Sequence, residues 1–340
     1  MEASLQPSDE GRSSGPETTS MNHRRIDLMA TQPGKSSKMA VAVVVPTLNE
    51  RGGVTDLIPQ IKRVLNEYTT EIVVVDGNSS DGTANLAKDL GAHVIKQDGS
   101  GYGDALQLGF KFAHSALKAD ITVMIDGDMT YDPKDIENMI DIVASGKVDL
   151  VVGNRFADME DGAMSLTSKW GNRLLSWFAK HAIGIRLTDS QCGLRVFRTQ
   201  FTPTITRASA GMAYATEMIA EITQVGGRLM ELPISYSRRV GKSKLRPVRD
   251  GLQILSTMLR LARDYRPLFL FGGAGVTLVM SGVVVGLNSF YEWLKFGYVT
   301  HPPFVVLSSL MIVSGVQLLS FGLIADMIKS LRRDFRRNIN

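Results

Sequence analysis

Short, continuous apolar runs rich in β-branched residues alternate with segments of helical periodicity from Met39 onward. Runs of this kind, bounded by polar and glycine-containing segments, are typical of strands buried on both faces of a parallel sheet. The apolar runs are 41–45, 72–75, 94–95, 121–125 and 150–152. The segments with helical spacing between them are 54–68, 82–90, 103–116 and 133–144. This alternation predicts an α/β domain with a doubly wound sheet over residues 39–245.

Two longer apolar stretches without charge, 268–287 and 303–324, follow the α/β region. Each has about the twenty residues that a helix needs to cross roughly 30 Å of hydrocarbon. They predict a C-terminal two-helix transmembrane hairpin over 267–328, followed by a basic tail at 329–340. The alternative is a pair of buried core helices in a soluble protein.

Lysines and arginines flank the outer ends of these stretches, over 238–266 and 329–337, whereas the connecting loop has only Lys295. By the positive-inside rule, both flanks are expected to be cytoplasmic. The sequence therefore predicts a protein of the cell membrane or an endomembrane with two spans. Its α/β domain and both termini are predicted to face the cytoplasm.

The segment 246–266, just before the first stretch, predicts an amphipathic juxtamembrane helix. Apolar residues recur there at helical spacing beside arginines, at Leu252, Leu255, Met258, Leu259, Ala262, Arg249, Arg260 and Arg263. Such a helix can lie in the membrane interface. It can equally be a helix that packs on the core of the α/β domain, and the pattern leaves both interpretations open.

Residues 1–38 are rich in Ser, Gly, Pro, Gln and charge and contain few large apolar residues. A segment of this composition buries too little apolar surface to offset its chain entropy, so it is predicted to be a disordered N-terminal extension. It has no continuous apolar core of the kind found in signal peptides, and nothing in it predicts export.

The composition restricts the chemistry. Cys192 is the only cysteine, so an intrachain disulfide and a cysteine-rich metal site are excluded, and any metal must be held by oxygen ligands. The net charge of +4 is modest and clustered near the apolar stretches. A membrane surface or an anionic substrate explains this placement better than nucleic acid, which is not expected as a partner.

Polar residues follow three of the predicted strands, at 46–50, 76–83 and 126–128. In doubly wound sheets the ligand crevice lies at the carboxyl ends of the strands, so these segments are expected to face one pocket. Asp126 and Asp128 place two carboxylates at a strand end, where they can hold Mg²⁺ or Mn²⁺. Such a cation neutralises the charge of a departing diphosphate. The alternative is a pair of acids that only cap a turn.

A second group of polar residues, Asp76, Asn78, Ser79 and Asp81, is expected to accept from a base N–H and to approach a ribose or phosphate. Its alternative is an ordinary turn with a helix cap. The glycine-rich loop 99–103 leads into a helix whose N-terminal amides can favour a diphosphate. The loop follows the third strand rather than the first, which argues against a dinucleotide-binding fingerprint.

Six motifs together resemble those of glycosyltransferase family 2 with the GT-A fold, particularly the polyprenyl (dolichyl) phosphate hexose synthases. The motifs occupy 45–50, 75–83, Asp126 with Asp128, 153–156, 189–195 and 239–245. The run 153–164 followed by Trp-Gly-Asn-Arg at 170–173 is most similar to archaeal dolichyl phosphate hexose synthases that begin N-glycan assembly. The resemblance implies transfer of a hexose (glucose, N-acetylglucosamine or mannose) from a nucleotide diphosphate sugar to polyprenyl or dolichyl phosphate, for glycoprotein or cell-surface glycan assembly.

The resemblance also implies roles for individual residues. The nucleotide sugar would be held by Pro46, Asn49, Glu50, Asp76 and Asp81. Asp126 and Asp128 would hold Mg²⁺ or Mn²⁺ and the diphosphate, while Arg155 and Arg239 would meet the lipid phosphate. In the mannosyl branch a glutamine follows two residues after the second aspartate, whereas this chain has Thr130, which favours a UDP-hexose over GDP-mannose.

No histidine or cysteine is placed like a general base or nucleophile, and the expected acceptor does not require one. A phosphate monoester has a second pKa of about 6 and is largely a dianion at neutral pH, so it can attack the anomeric carbon directly. One displacement predicts inversion. Arg155, Arg239, Lys242 and Lys244 are expected to offset the acceptor charge. For the basic cluster at 238–249, the alternative is general attraction to anionic lipid.

Three other functions compete with this one. A processive polysaccharide synthase resembles such enzymes but carries a Gln-X-X-Arg-Trp element and usually more spans, and this sequence lacks both. A catalytically inactive membrane scaffold of the same fold, and a membrane-attached transferase with a soluble acceptor, also stay open. Small residues in the first span favour close helix packing between protomers and predict a homo-oligomer, at Gly272, Gly273, Gly275 and Gly286.

Overall fold

The computed structural model describes residues 38–99, 101–185, 187–205, 211, 214–239 and 247–339. The prediction of disorder for residues 1–37 and the roles expected of Lys242 and Lys244 therefore lie outside the described residues. The strands are β1 Ala40–Thr47, β2 Thr69–Asp76, β3 His93–Lys96, β4 Ile121–Met124, β5 Leu150–Met159, β6 Arg195–Arg198 and β7 Leu229–Tyr236.

The helices of the α/β region alternate with these strands. They are α1 Arg51–Val64, α2 Thr83–Asp89, α3 Tyr102–Ser115, α4 Lys134–Ala144, α5 Leu166–Phe178, α6 Thr202–Ile205 and α7 Tyr214–Gln224. The C-terminal helices are α8 Pro247–Tyr265, α9 Gly273–Phe296 and α10 Pro302–Ile339. A π-helical turn, Ala179–Ile183, continues α5, and a second, Leu268–Gly272, precedes α9.

The strands form one seven-stranded sheet in the order β3-β2-β1-β4-β6-β5-β7. The strands β1 to β4 are parallel, β6 is antiparallel to both β4 and β5, and β7 is parallel to β5. The predicted doubly wound sheet is thus confirmed, and each predicted apolar run coincides with a strand, except that Ile125 lies one residue beyond the end of β4. The sequence pattern did not reveal that one strand of the described sheet, β6, runs against the others.

The apolar residues that recur at helical spacing in the sequence form the helix faces that are buried against the sheet. In α1 the residues Val54, Leu57, Ile58 and Ile61 are buried at intervals of three, one and three positions, so they form a single stripe against the sheet. The strands beneath are buried on both sides, as in 41–45, because helices cover the sheet. The carboxyl ends of the strands are left for the polar segments that follow them.

The juxtamembrane helix α8 carries two apolar faces. Met258 and Ala262 are fully buried against the domain, and Ile254 is nearly so. Leu252 and Leu259 are exposed on a neighbouring side. One side of this helix therefore packs on the domain, while its location in the membrane interface stays a prediction.

The two C-terminal apolar segments, Leu268–Phe296 and Pro302–Ser330, are helical, long enough and apolar enough to cross a membrane, and they expose most of their apolar surface. They extend further than the predicted stretches. The backbones of α9 and α10 approach closely, since a Cβ added to Gly275 would lie 2.7 Å from the carbonyl oxygen of Gly315.

The small residues of the first span serve this intrachain contact. Added Cβ atoms at Gly272, Gly275 and Gly286 would all meet atoms of α10, whereas one at Gly273 would meet no atom of the described residues within 4 Å outside its own stretch of helix. These glycines pack within the hairpin of a single chain and give no argument for a contact between protomers. The homo-oligomer stays a prediction.

Candidate active site

The carboxyl ends of β1, β2 and β4 lie side by side, which brings together the polar segments 46–50, 76–83 and 126–128. Thr47 and Asp76 are paired in the β1–β2 ladder, and the Gly77 amide donates to the Thr47 carbonyl at 2.8 Å. The Ile125 amide donates to the Val44 carbonyl at 3.2 Å, so the β4 end is adjacent as well. The three segments form one site because neighbouring parallel strands end at the same edge.

The turns after β1 and β2 bind each other. The Asn49 amide donates to the Ser79 hydroxyl at 2.8 Å, and the Asn49 carbonyl oxygen of the side chain accepts from the Ser80 amide at 2.7 Å. Asp76 is buried, and its Oδ2 accepts from the Ser79 amide at 2.9 Å. Its Oδ1 has no hydrogen-bond partner among the described residues. A buried acceptor of this kind fits a donor group of a ligand, such as a base N–H.

Asp81 is engaged within the protein. Its carboxylate accepts from the amides of Arg51 and Thr83, at 3.1 and 3.0 Å, and from the Thr83 hydroxyl. Partial burial acts to raise the pKa of Asp81, but these hydrogen bonds outweigh it and hold the pKa below its ordinary value. The same Thr83 hydroxyl accepts from the Glu50 amide at 3.0 Å, so Asp81 fixes the turn that presents Glu50. The predicted contact of Asp81 with the nucleotide stays a prediction, as does that of Pro46.

Asp126 and Asp128 follow β4, and each has one oxygen oriented by a hydroxyl. The Tyr102 hydroxyl donates to Asp126 Oδ1 at 2.7 Å. The Thr130 hydroxyl and amide donate to Asp128 Oδ1 at 2.7 and 3.1 Å. Burial and, after it, the negative charge of Asp128 raise the pKa of Asp126 to about 6.

The donor set of this pair fits a divalent cation that prefers oxygen ligands, such as Mg²⁺ or Mn²⁺. Among the described residues no group of three or more His, Cys, Asp or Glu side chains is placed to hold a metal. The remaining ligands of a cation at Asp126 and Asp128 would therefore come from substrate oxygens or water, as is usual where Mg²⁺ binds a diphosphate.

Arg239 links the two halves of the site. Its Nη2 donates to Glu50 Oε1 at 2.5 Å, and its Nε lies 3.3 Å from Asp128 Oδ2. Burial acts to lower the pKa of Arg239, but the charges of Asp128 and Glu50 raise it above its ordinary value. Arg239 follows β7, and the Ser237 amide donates to the Thr130 carbonyl at 2.9 Å, which holds the segment against the end of β4.

Arg155 lies on β5 and forms a buried, bidentate ion pair with Asp189. Its Nε and Nη2 donate to the two carboxylate oxygens at 2.6 and 2.8 Å. The guanidinium also lies 5.5 Å from the centre of the Tyr236 ring. The structure thus shows that two nitrogens of Arg155 are bound within the protein, while its predicted contact with the lipid phosphate stays a prediction.

Besides Tyr102, sequence reasoning did not identify Glu231 and Arg195, which shape this region. Glu231 accepts from the amides of Thr188 and Asp189, at 2.9 and 2.6 Å, and so holds the start of the loop 188–194. Arg195 is fully buried and donates to the carbonyls of Cys192 and Ser190, at 2.9 and 3.0 Å. The motif 189–195 contained Arg195, but an arginine at a strand start carries no local signal of burial.

The loop 188–194 lies against the strand-end carboxylates Asp126 and Asp128. The Gly193 amide donates to the Tyr131 hydroxyl at 2.7 Å. A Cβ added to Gly193 would lie 2.2 Å from Asp126 Oδ2, so only glycine permits this approach. The loop after α5 therefore forms one wall of the site opposite the turns that follow β1 and β2.

Comparisons with known proteins agree with this geometry. The model of glycosyl transferase family 2 matches residues 42–202. The glycosyltransferase AglJ of Haloferax volcanii is 35% identical over 302 residues, which are 88% of this chain and 97% of that protein. A dolichyl-phosphate hexose transferase of Haloferax volcanii is 28% identical over 226 residues, 66% of this chain and 95% of that protein.

Among solved structures, the fold is similar to glucosyl-3-phosphoglycerate synthase from Mycobacterium tuberculosis, in a complex with Mn²⁺, uridine diphosphate and glucosyl-3-phosphoglycerate. The TM-score is 0.53 at 18% identity, covering 68% of this chain and 85% of that chain. This likeness concerns the fold alone. With the relative that spans most of this chain, the family match confirms the resemblance seen in the motifs: the chain is a glycosyltransferase that belongs to glycosyl transferase family 2 and has the GT-A fold.

Proposed function

We propose that this glycosyltransferase moves one hexosyl group from a nucleotide diphosphate sugar to the phosphate of dolichol or another polyprenol, with inversion at the anomeric carbon. The observation that carries the proposal is the position of Arg239. Its guanidinium contacts both Glu50, at the turn after β1, and Asp128, at the end of β4. It also lies on the segment that leads toward the two apolar helices, so one cation connects the donor side of the site to the membrane side.

The donor half of the proposal rests on the strand ends. The buried Asp76 Oδ1 is available to accept from the base, and the turns around Asn49 and Asn78 have left-handed backbone conformations that let the main chain approach a ligand. A Mg²⁺ or Mn²⁺ ion held by Asp126 and Asp128 would neutralise the charge that develops on the leaving diphosphate. Thr130 orients Asp128 here, and the absence of glutamine at this position favours a UDP-sugar.

The acceptor half rests on charge. A polyprenyl phosphate dianion needs no general base, so its oxygen attacks the anomeric carbon while the bond to the diphosphate breaks and its electron pair leaves with the diphosphate. The protein must offset the repulsion between two anionic substrates. Arg239, Arg155, Lys242 and Lys244 are proposed for that role, since arginine can bind phosphate through two parallel hydrogen bonds.

The lipid character of the acceptor is supported by the relative named as a dolichyl-phosphate hexose transferase. It is also supported by two helices long enough to span a bilayer, which would hold the site near the membrane surface. Basic flanks on both outer ends favour a cytoplasmic location for the catalytic domain. We propose that the product supplies glycoprotein or cell-surface glycan assembly.

The test is to incubate the purified full chain in detergent with polyprenyl phosphate, Mg²⁺ or Mn²⁺, and UDP-glucose, UDP-N-acetylglucosamine or GDP-mannose in turn. Mass spectrometry of the lipid is expected to show the gain of one hexosyl or N-acetylhexosaminyl group, with release of a nucleoside diphosphate. NMR of the product from an α-linked donor is expected to show a β linkage. Absence of a lipid product with every donor, despite nucleotide binding, would overturn the proposal.

Two further experiments test the metal role of Asp126 and Asp128. Asp128→Ala is expected to abolish transfer, because it removes a carboxylate from the donor site, while circular dichroism shows an intact fold. A chelator is expected to stop the wild-type reaction, and added Mg²⁺ or Mn²⁺ to restore it. Full activity in the presence of the chelator would refute a metal role for Asp126 and Asp128.

A further inference from the structure

The helix α5 exposes a row of large apolar side chains on the surface of the catalytic domain. Leu166, Trp170, Leu174 and Trp177 are 75, 71, 65 and 54% exposed. Their spacing of four, four and three residues places them on one face of the helix. Two of the chain's three tryptophans lie in this row. A contiguous apolar patch of this kind on a soluble domain marks a contact surface.

The opposite side of α5 is attached to the loop that walls the active site. Ser176 is buried, and its hydroxyl accepts from the Ser190 amide at 3.0 Å. Leu175 and Phe178 pack against the core of the domain. The exposed row is therefore a second apolar face, distinct from the face of α5 that packs on the core. The contact between Ser176 and Ser190 holds α5 next to Asp189.

The C-terminal end of the row lies beside the point where the chain enters the first spanning helix. Trp177 and His181 are in ring contact, with centroids 4.7 Å apart. The His181 carbonyl accepts from Arg266 Nη1 at 3.4 Å. Only Pro267 separates Arg266 from the helical segment that begins at Leu268. If this segment enters a bilayer, the Trp177 end of α5 lies at the bilayer surface.

The charge around the row suits an anionic lipid surface. The sequence from Ser165 to Thr188 contains no aspartate or glutamate, whereas Lys169, Arg173 and Lys180 lie on α5 and its π-helical continuation. Lysine and arginine beside leucine and tryptophan are typical of helices that lie in the interface plane. Tryptophan favours the headgroup level because its ring is apolar and its N–H is polar.

We propose that the α5 row (Leu166, Trp170, Leu174 and Trp177) lies in the headgroup region of the membrane and is a second membrane contact besides the hairpin. The inference rests on the membrane location proposed above. Through the hydrogen bond between Ser176 and Ser190, this contact holds the active-site loop 188–194 at the bilayer surface. The side of the catalytic domain that carries Asp189 then faces the membrane, and the loop 188–194 lies at the depth of the lipid phosphates.

The test uses the full chain reconstituted in vesicles, with variants that keep one tryptophan each. Trp177→Phe with Trp293→Phe leaves Trp170, Trp170→Phe with Trp293→Phe leaves Trp177, and Trp170→Phe with Trp177→Phe leaves Trp293 in α9. Fluorescence is measured in phospholipid vesicles with and without bromine near the top of the acyl chains, and with iodide in the water. Phenylalanine retains most of the apolar volume, so the variants are expected to fold.

We expect brominated lipid to remove a large part of the emission of Trp170 and Trp177 and iodide to remove little. Trp293 serves as the internal reference, because it lies on a spanning helix. Quenching of Trp293 by brominated lipid, with Trp170 and Trp177 quenched only by iodide, would overturn the α5 contact and leave the membrane location intact. Protection of Trp170 and Trp177 from both quenchers would overturn it in favour of a protein partner. Failure of brominated lipid to quench Trp293 would overturn the membrane location itself.

Discussion

Arg155 and Asp189 form a bidentate ion pair that is closed off from solvent, with the Asp189 side chain fully buried and that of Arg155 8% exposed. Their carboxylate and guanidinium are joined by hydrogen bonds of 2.6 and 2.8 Å. Asp189 belongs to the loop after α5 and Arg155 to β5, so the pair ties the loop 188–194 to the central sheet. A buried charge pair of this kind depends strongly on both members.

Replacement of Asp189 by alanine is expected to destabilise the protein by about 3–5 kcal/mol, because it leaves the Arg155 charge buried and without its partner. Thermal unfolding in detergent measures the effect. The double variant Arg155→Met with Asp189→Leu removes both charges and is expected to recover part of the loss. Asp264→Ala breaks the exposed pair with Arg263 and serves as the control, with an unchanged unfolding temperature. An Asp189→Ala protein as stable as that control would contradict the prediction.

Tyr102→Phe removes the hydroxyl that donates to Asp126 and is expected to weaken metal binding. Loss of a hydrogen bond to a metal-binding side chain typically costs about 10–100-fold in metal affinity or activity. A titration of activity with Mn²⁺ should shift to higher concentration by about tenfold at this scale. The matched control is Tyr214→Phe, because the buried Tyr214 hydroxyl has no hydrogen-bond partner among the described residues. An equal Mn²⁺ requirement in both variants would show that the Tyr102 hydroxyl does not support metal binding.

Arg239→Gln is expected to raise the KM for polyprenyl phosphate and to lower kcat, since the variant loses the cation that lies between Glu50 and Asp128. The neighbouring Arg238 donates to the Asp161 carbonyl on the surface, at 2.8 Å. Arg238→Gln is therefore the control and is expected to retain wild-type kinetics. A steady-state assay with varied lipid decides the matter, and identical KM values for the two variants would show that Arg239 does not serve the acceptor.

Asp149 predicts a pH dependence of stability. Hydrogen bonds from the Arg228 side chain, at 2.9 and 3.1 Å, are the main cause that lowers the pKa of Asp149 below its ordinary value of 3.8. A carboxylate with a lowered pKa in the folded state stabilises the protein above its unfolded pKa, and this contribution is lost as pH falls through the folded pKa.

Unfolding temperatures of the wild type and Arg228→Met should therefore differ most near neutral pH and converge below about pH 4 as Asp149 becomes protonated. Thermal scans between neutral and acidic pH measure the difference. A gap that widens on acidification would contradict the assignment of this effect to Asp149.

The sequence pattern predicted the parts of the fold that depend on local periodicity. The run 41–45 is apolar without interruption, and 121–125 is apolar except for the buried Thr122, because helices cover both faces of the sheet. Such runs can be recognised without tertiary information. The direction of β6 could not be predicted in this way. Its four residues begin and end with Arg195 and Arg198, and its antiparallel pairing depends on the path of the loop after α5.

The site shows the same division. Asp126 and Asp128 were recognisable because they follow a strong apolar run, so their position at a strand end is a local property. Tyr102 and Glu231 were missed because each acts on a partner 24 or 42 residues distant along the chain. A hydrogen bond across such a separation leaves no periodic signal, and the bidentate pairing of Arg155 was hidden for the same reason.

The close approach of α9 and α10 at Gly275 and Gly315 has a consequence for engineering. The backbones of the two helices are in direct contact along this interface. The pair therefore needs no third helix to cover the surfaces that face each other. Grafting α9 alone onto another protein would leave this groove open to lipid, whereas grafting both helices with their loop would transfer a complete anchor. Exchange of the anchor between related enzymes is therefore expected to succeed only when the two helices are moved together.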